Sequence, residues 1–264
     1  MSWSLFIFCF CYYVLAGIVM VIGYHRWLSH KSFSLKPWFS KTLIIFGLPA
    51  GTPIQWAGNH RFHHMHTDDE LDPHSPVISG FWFAHCGWYI NSKNPLICFL
   101  YAIAGPFRLI IDAVNRPISN QEFNYLAKDI QKDSFMKWVS KPMNYRILMG
   151  LHLISAILFT YYFWGVNGLL AWSVTLIIIY NVGDSIDSIS HLYGEKLTEN
   201  KKGAARNNII MALLTLGDGW HANHHLHPST ANLGFKKGQL DLSWYILLLL
   251  EKLGIAYDLK VKRK

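Results

Sequence analysis

Residues 3 to 24 run for 22 positions without a charged side chain and then meet His25-Arg26-Trp27-Leu28-Ser29-His30. At about 1.5 Å per residue such a helix is roughly 33 Å long, enough to cross a hydrocarbon core of about 30 Å. The run has no basic start and no small-residue cleavage site, so it is expected to persist as a membrane helix and not to be removed as a signal peptide. A first helix in lipid that ends in two histidines leaves few folds open. Backbone polar groups must be satisfied within helices, and the histidines must act at the membrane surface.

Residues 42 to 58 are again uncharged but carry Gly47, Pro49, Gly51 and Pro53, which argues for a re-entrant or interfacial hairpin leading into His60. Residues 59 to 144 mix charges and prolines and are expected largely outside the membrane. Residues 147–164 and 168–182 are apolar on either side of Gly165-Val166-Asn167. They read as a helical hairpin whose second member continues past Asp184 and Asp187 to His191. Residues 242–250 are apolar but too short to span, so they are expected to pack or lie at the interface. The fold class is therefore all-α and integral to the membrane: about three full transmembrane helices, one re-entrant or interfacial apolar segment and a cytoplasmic helical cap. A single domain over residues 1–264 is expected.

Lys and Arg total 24 against 16 Asp and Glu, a net charge of +8. Their placement explains the excess without nucleic acid. Residues 25–144 hold 12 of them and residues 192–264 hold 11, whereas the first four residues and the 165–167 turn hold none. The positive-inside bias puts 25–146 and the C-terminal part in the cytoplasm, with the N-terminus and the short turn outside. The four cysteines form no CxxC, and Cys9 and Cys11 lie within the first apolar run, so they read as reduced apolar residues and not as a disulfide framework.

Two stretches repeat one pattern: Asn59-His60-Arg61-Phe62-His63-His64-Met65-His66 and Trp220-His221-Ala222-Asn223-His224-His225. Histidines at i, i+3 and i+4 share a helix face, so three imidazoles can converge on a metal. With His25, His30 and His191, which end apolar helices, they make nine, all on the cytoplasmic side. Nine ligands are too many for one four- to six-coordinate ion and suit two. Imidazole binds zinc, copper, iron and nickel, so ligand type alone leaves the metal open. No HExxH is present and no paired ExxH, which sets aside a zinc peptidase and a carboxylate-rich di-iron bundle. His66, His74 and His227 read either as groups orienting ligands or as solvated loop histidines; His85 lies near the site or packs, and His152, alone in a span, is structural or without an explanation in the sequence.

These residues resemble the membrane fatty-acid desaturases, in the acyl-CoA and acyl-lipid branch that includes stearoyl-CoA desaturase. The likeness rests on Gly23 through Phe33, Trp56 through His66, Asp72-Pro73-His74-Ser75-Pro76, Gly80-Phe81-Trp82-Phe83-Ala84-His85, His191-Leu192-Tyr193-Gly194 and Gly219 through His225. It implies that His25, His30, His60, His63, His64, His191, His221, His224 and His225 hold two irons. These would activate dioxygen to remove hydrogens from two adjacent methylenes of a long acyl chain lying in an apolar tunnel. Electrons would come from a separate ferredoxin or cytochrome b-type carrier, steered to the basic face. The membrane would be a bacterial inner membrane, or the endoplasmic reticulum of a eukaryote.

The chain also departs from that pattern. The family usually has a further spanning partner before the first histidine pair. Asp187 stands where an asparagine commonly holds a metal-bound water, and its charge could make it a direct ligand. Ala50 and Gly183 replace a glutamine and a threonine that, with the tryptophan matched by Trp56, fix the bend of the acyl tunnel, and Gln55 stands where many relatives have aspartate. The metal set is complete while the substrate channel differs. A hydroxylase or acetylenase of the same histidine-rich superfamily is the near alternative. A non-catalytic membrane metal carrier is the distant one, and it should place ligands along its spans, where only His152 is found.

Overall fold

The computed structural model describes residues 2–198 and 203–262, and it is almost wholly helical. One continuous helix occupies Trp3–Ser29, α-helical over Trp3–Ile18 and π-helical over Val19–Ser29. Ser2 caps it, its side chain accepting from the Leu5 N–H. Phe6, Ile7, Phe10 and Leu15 stay exposed on it. Large apolar groups in that number on a helix of spanning length face lipid, not water.

Helix Pro37–Gly47 and helix Pro53–Met65 meet at a break over residues 48–52, as the glycines and prolines required. Gly47 is there for space: a Cβ would collide with the Tyr24 ring. The Tyr24 hydroxyl spans the break, 3.2 Å from both the Ile44 and the Gly51 carbonyls.

Helix Pro142–Leu192 counts 51 residues but contains a non-helical residue, Gly165, at φ 59° and ψ −144°. The chain reverses there. A Cβ on Gly168 would strike the Thr160 carbonyl, whereas eight residues of unbroken helix would lie about 12 Å apart. The two arms are thus the hairpin expected from the sequence. The first arm lies along Pro37–Gly47 and the turn after it: Tyr145 Oη donates to the Leu48 carbonyl at 3.0 Å, and His152 Nε2 to the Ile45 carbonyl at 2.8 Å. Both carbonyls lie at the turn that ends helix Pro37–Gly47 and also accept a backbone N–H, from Gly51 for Leu48 and from Leu48 for Ile45, so the lone histidine in the span has a structural partner. Tyr24, Ile44, Leu48, Tyr145, Met149, Trp172 and Leu176 close the main core beneath these contacts.

Within residues 59–144, helices Pro95–Ala102 and Pro106–Asn115 are apolar and bent by 116° to one another, by length and composition a candidate broken span or re-entrant loop. Arg108 and Asp112 disguise this in the sequence, yet both are buried and paired inside the fold. Helix Leu242–Lys252 packs as expected, burying Leu247 among Val19, Ile22 and Leu43. A two-residue antiparallel pairing, Ser34–Leu35 with Ala256–Tyr257, ties the C-terminal part to the end of the first helix.

Candidate metal centre

Local backbone decides how each histidine arrives. Residues five apart on an α-helix point about 140° apart, so His25 and His30 could not face one site from regular geometry. The π-helical turn solves this: the His30 N–H bonds to the His25 carbonyl five residues back at 3.3 Å, and the imidazole centroids come within 5.0 Å. Thr52 caps the next helix by accepting from the Gln55 N–H, with Pro53 at its first position, which carries His60, His63 and His64 into its last turns. His191 is the penultimate residue of Pro142–Leu192, and His221, His224 and His225 lie on the short helix His221–Leu226.

The nine imidazoles fall into two groups, each with all potential ligand atoms within 4.8 Å of one another. Five belong to His25, His30, His60, His64 and His224; four belong to His63, His191, His221 and His225. Within the first group Nε2 meets Nε2 at 2.9 Å for His25 and His224, 2.7 Å for His30 and His60, and 2.8 Å for His64 and His224. In the second the separations are 2.9 Å for His191 and His221, 3.1 Å for His221 and His225, and 3.4 Å for His63 and His225.

The far ring nitrogens settle which of these atoms carry protons. Asp218 takes the His25 Nδ1–H at 2.7 Å, Asp72 that of His63 at 3.0 Å, and Asp68 that of His191 at 2.8 Å. Thr67 spends its hydroxyl proton on the His63 carbonyl at 2.9 Å, so it must accept from His225 Nδ1 at 3.2 Å. A neutral imidazole with Nδ1 protonated has a bare lone pair at Nε2. With the rings neutral, as metal ligation requires, three of the four Nε2 atoms in the second group are lone pairs aimed at one another. That arrangement repels itself unless a cation sits at the centre, so the donor set fits a metal ion.

Burial, and then the neighbouring imidazoles, push the pKa values of His30, His60, His64, His221, His224 and His225 well below the ordinary 6.5. These groups stay neutral and available as ligands. His63 moves the other way, because Asp72 outweighs its burial. Burial opposes ionisation of Asp68, but hydrogen bonds from His191, Ser75 and the Ala204 N–H bring its pKa down to about 2. Asp72 is likewise held well below the carboxylate range against its burial, by His63 first.

Two predictions arise here. In the metal-free protein, unfolded histidines take up protons near pH 6.5 while the six depressed ones resist until far lower. The unfolded state then binds more protons, so stability falls as pH drops through 6.5, by up to about 1.4 kcal/mol per pH unit for each histidine. Thermal melts of metal-free protein at about pH 7.5 and 5.5 should show a lower Tm in acid; equal values would contradict the burial of neutral imidazoles. Asp72→Asn is expected to weaken metal binding in the four-histidine group about 10- to 100-fold, the usual effect of losing a partner that orients a ligand. Chelator competition reads this out, with the five-histidine group unchanged as the control.

The carboxylates Asp68, Asp72 and Asp218 escaped sequence reasoning, which looked for orienting groups among His66, His74 and His227. Asp218 is itself fixed by Arg26, whose guanidinium bridges it at 3.0 Å to Asp241 at 2.8 Å. The only local signal was position: Asp68 and Asp72 follow the second histidine cluster by four and eight residues, and Asp218 precedes the third by three. His66 pairs with Asp69 away from both groups, and His227 lies against Phe235. His74 is buried and stacks on His63, ring centroids 4.4 Å apart. His85 is buried at some remove, between Ser188 and Asn181.

A cavity of about 20 Å³ adjoins the five-histidine group at His60, with Ala50, Trp56, His74, Arg116 and Asp187 among its other walls. Trp56 lies parallel to His60, 6.0 Å between centroids. Asp187 is half-buried, and its charge acts on His63 and His74. Its carboxylate is not among the atoms of either converging group. Gly183 is exposed, with open space where a Cβ would be, and does not line this cavity.

Comparison with known proteins agrees with this geometry. The fatty acid desaturase family model matches residues 1–252. The chain is 34% identical to the acyl-CoA C20 Delta5-desaturase of Anemone leveillei over 266 residues, covering 98% of this chain and 75% of that protein. It is 31% identical to the Delta-9 acyl-lipid desaturase 2 of Arabidopsis thaliana, covering 98% and 76%. It is 29% identical to the chloroplastic palmitoyl-monogalactosyldiacylglycerol delta-7 desaturase of that plant, covering 98% and 63%.

Proposed function

This chain belongs to the fatty acid desaturase family, and we propose that its nine converging histidines hold two iron ions that use dioxygen to place a double bond in a long acyl chain. The observation that carries this reading is the pair of imidazole groups, in which carboxylates and a threonine outside hold the Nδ1 protons of His25, His63, His191 and His225 and leave their Nε2 atoms turned inward. Iron bound there would supply the redox chemistry, reduction of dioxygen and removal of one hydrogen from each of two adjacent methylenes.

The protein's own groups hold and orient. Asp218, Asp72 and Asp68 keep their histidines in the ligating tautomer, and Arg26 holds Asp218 from behind. The spans Trp3–Ser29 and Pro142–Leu192 bring apolar surface to the mouth of the site, so that a chain from the bilayer reaches it without crossing water. Trp56 and Ala50, beside His60, limit how deep that chain passes. Asp187, whose charge acts on His63 and His74, is the further candidate ligand, directly or through a water. The histidine face is cytoplasmic by the distribution of Lys and Arg, and a separate one-electron carrier, a ferredoxin or a cytochrome b-type protein, supplies electrons there.

The test is expression in a bacterial host, with iron counted per purified chain and fatty acid methyl esters profiled by mass spectrometry. Two irons and a new unsaturated acid, its double bond located, are expected. A new hydroxylated or acetylenic acid would move the reaction to the neighbouring superfamily chemistry. Folded protein with two irons and a competent reductant but no new lipid would sink the acyl reading.

A further inference from the structure

A row of rings leads from the four-histidine group into the protein. His74 stacks on His63 with centroids 4.4 Å apart, Trp88 lies 4.7 Å from His74, and Tyr89 lies 4.1 Å from Trp88. Trp88 and Tyr89 are buried in one cluster with Tyr101. The Arg108 guanidinium lies over both tyrosine rings, 5.4 Å from the centroid of Tyr89 and 4.4 Å from that of Tyr101. Indole and phenol give up an electron more readily than almost any other side chain. Such a row, in near van der Waals contact, is an electron path whenever a strong oxidant forms at its head.

The proton decides where the path ends. A phenol oxidised in the interior has to shed its O–H proton, because a lone buried cation is costly. Tyr101 Oη donates to the Asp112 carboxylate, a base that can take that proton. Tyr24 and Tyr145 donate to backbone carbonyls, which are not bases, and Tyr180 Oη is buried without a partner. Trp56, beside His60, leads to Tyr24 at 5.9 Å and so to no base. Neither ring on the way to Tyr101 is a resting place. The Trp88 indole N–H has no acceptor, and Arg116 lies 3.5 Å from the Tyr89 centroid, where it opposes a positive ring. Among the described residues, Tyr101 is the tyrosine whose hydroxyl meets a carboxylate.

We propose that His74, Trp88, Tyr89 and Tyr101 form a relay that draws oxidising power away from the metal centre when no acyl chain is present to take it. It rests on the desaturase reading, in which the carrier protein supplies two of the four electrons that dioxygen needs and the acyl chain the other two. Without the chain the balance is O2 + 4 e− + 4 H+ → 2 H2O, and two electrons are lacking. Tyr101 lends one of them. Its O–H bond breaks, the electron passes through Tyr89, Trp88 and His74 to the centre, and the proton moves onto Asp112. The carrier supplies the fourth electron and then one more that restores Tyr101. Protonated Asp112 leaves Arg108 and Arg116, at 3.7 and 3.4 Å, short of a countercharge, so the proton returns with that electron. The histidine ligands are spared oxidation in the meantime.

The test uses iron-loaded, acyl-free protein, reduced with two electrons per chain and then mixed with dioxygen; iron per chain is counted first. Freeze-quenched wild type should show the electron paramagnetic resonance signal of a tyrosyl radical, narrowed by ring-deuterated tyrosine. Tyr101→Phe should lose this signal with two irons retained, and Tyr145→Phe should keep it. Tyr89→Phe interrupts the row, so it should lose the signal and gain oxygen at Trp88 in peptide mass spectra. Both interrupted variants should shed iron sooner in acyl-free turnover, yet form the double bond at the wild-type rate when acyl substrate is supplied. No tyrosyl signal in the wild type, or an undiminished one in Tyr101→Phe, would overturn the proposal. If Tyr101→Phe loses iron on purification, Tyr89→Phe and its damage at Trp88 decide. If two-iron wild type forms no double bond with acyl substrate, the desaturase reading fails, while the acyl-free radical still judges the relay.

Discussion

His224→Ala should leave about one iron per chain and no measurable new unsaturated fatty acid. His224 is 1% exposed, and its Nε2 lies between those of His25 at 2.9 Å and His64 at 2.8 Å, so it joins the first helix to the second histidine cluster. Alanine removes the donor and opens a hole among imidazoles that stay neutral and lack any other centre. His221 and His225 on the same short helix belong to the other group and keep their partners at 2.9 and 3.1 Å, so the second ion should remain. Activity should fall by more than about 100-fold, the upper end of the effect of losing only an orienting partner. Iron analysis beside methyl ester profiling checks both halves. Two irons with near-normal activity would refute the assignment of His224 to the five-histidine group.

Asp184→Ala carries the largest expected loss of stability. Its carboxylate grips the Arg108 guanidinium in a two-point contact, 2.6 Å to one terminal nitrogen and 3.2 Å to the other, and Arg108 is 0% exposed. The guanidinium also lies over the rings of Tyr101 and Tyr180, at 4.4 and 4.1 Å. Asp112 cannot replace the lost partner fully, since it already takes the Tyr101 hydroxyl and faces Arg116. Stranding a buried charge in this way costs about 3–5 kcal/mol, whereas replacing both partners with apolar groups of similar size is often neutral. Thermal unfolding in detergent should thus show a large drop for Asp184→Ala and recovery in the Arg108→Met, Asp184→Leu double variant. Equal Tm values for wild type and Asp184→Ala would mean that the pair is not sealed from solvent.

This pair also shows where reading the sequence failed and why. Arg108 and Asp112 interrupt an apolar stretch, and charge in a linear window argues for an exterior segment. The cost of a buried charge depends on its partner, however, and the partner of Arg108 lies 76 residues away on the long hairpin. No window contains both. The same reason hid Asp218, which acts on His25 from 193 residues along the chain, and Asp68, which acts on His191 from 123. The hairpin around Gly165 was legible because its cause is local: two uncharged runs of near-spanning length and a glycine between them. The π-helical turn was not, because nothing in His25-Arg26-Trp27-Leu28-Ser29-His30 by itself prefers it to an α-helix. It forms where tertiary partners hold its middle: Gly23 lies against Leu43, Tyr24 bonds to the Ile44 carbonyl and His25 to Asp218.

The sequence by itself determined the membrane character of the chain and the nine histidines that come together, because hydropathy and the i, i+3, i+4 spacing are properties of short segments. Only the tertiary structure decided how the nine divide. In the second cluster His60 and His64 go one way and His63 the other; in the third His221 and His225 go one way and His224 the other. Helical periodicity makes the i, i+4 pairs stay together, but which pair meets which partner depends on how helices from distant parts of the chain cross. The polarity of the adjoining cavity was decided at the same level, since Gln55, Asn59, His74 and Trp88 become its walls only after the break at residues 48–52 turns one helix back upon the site.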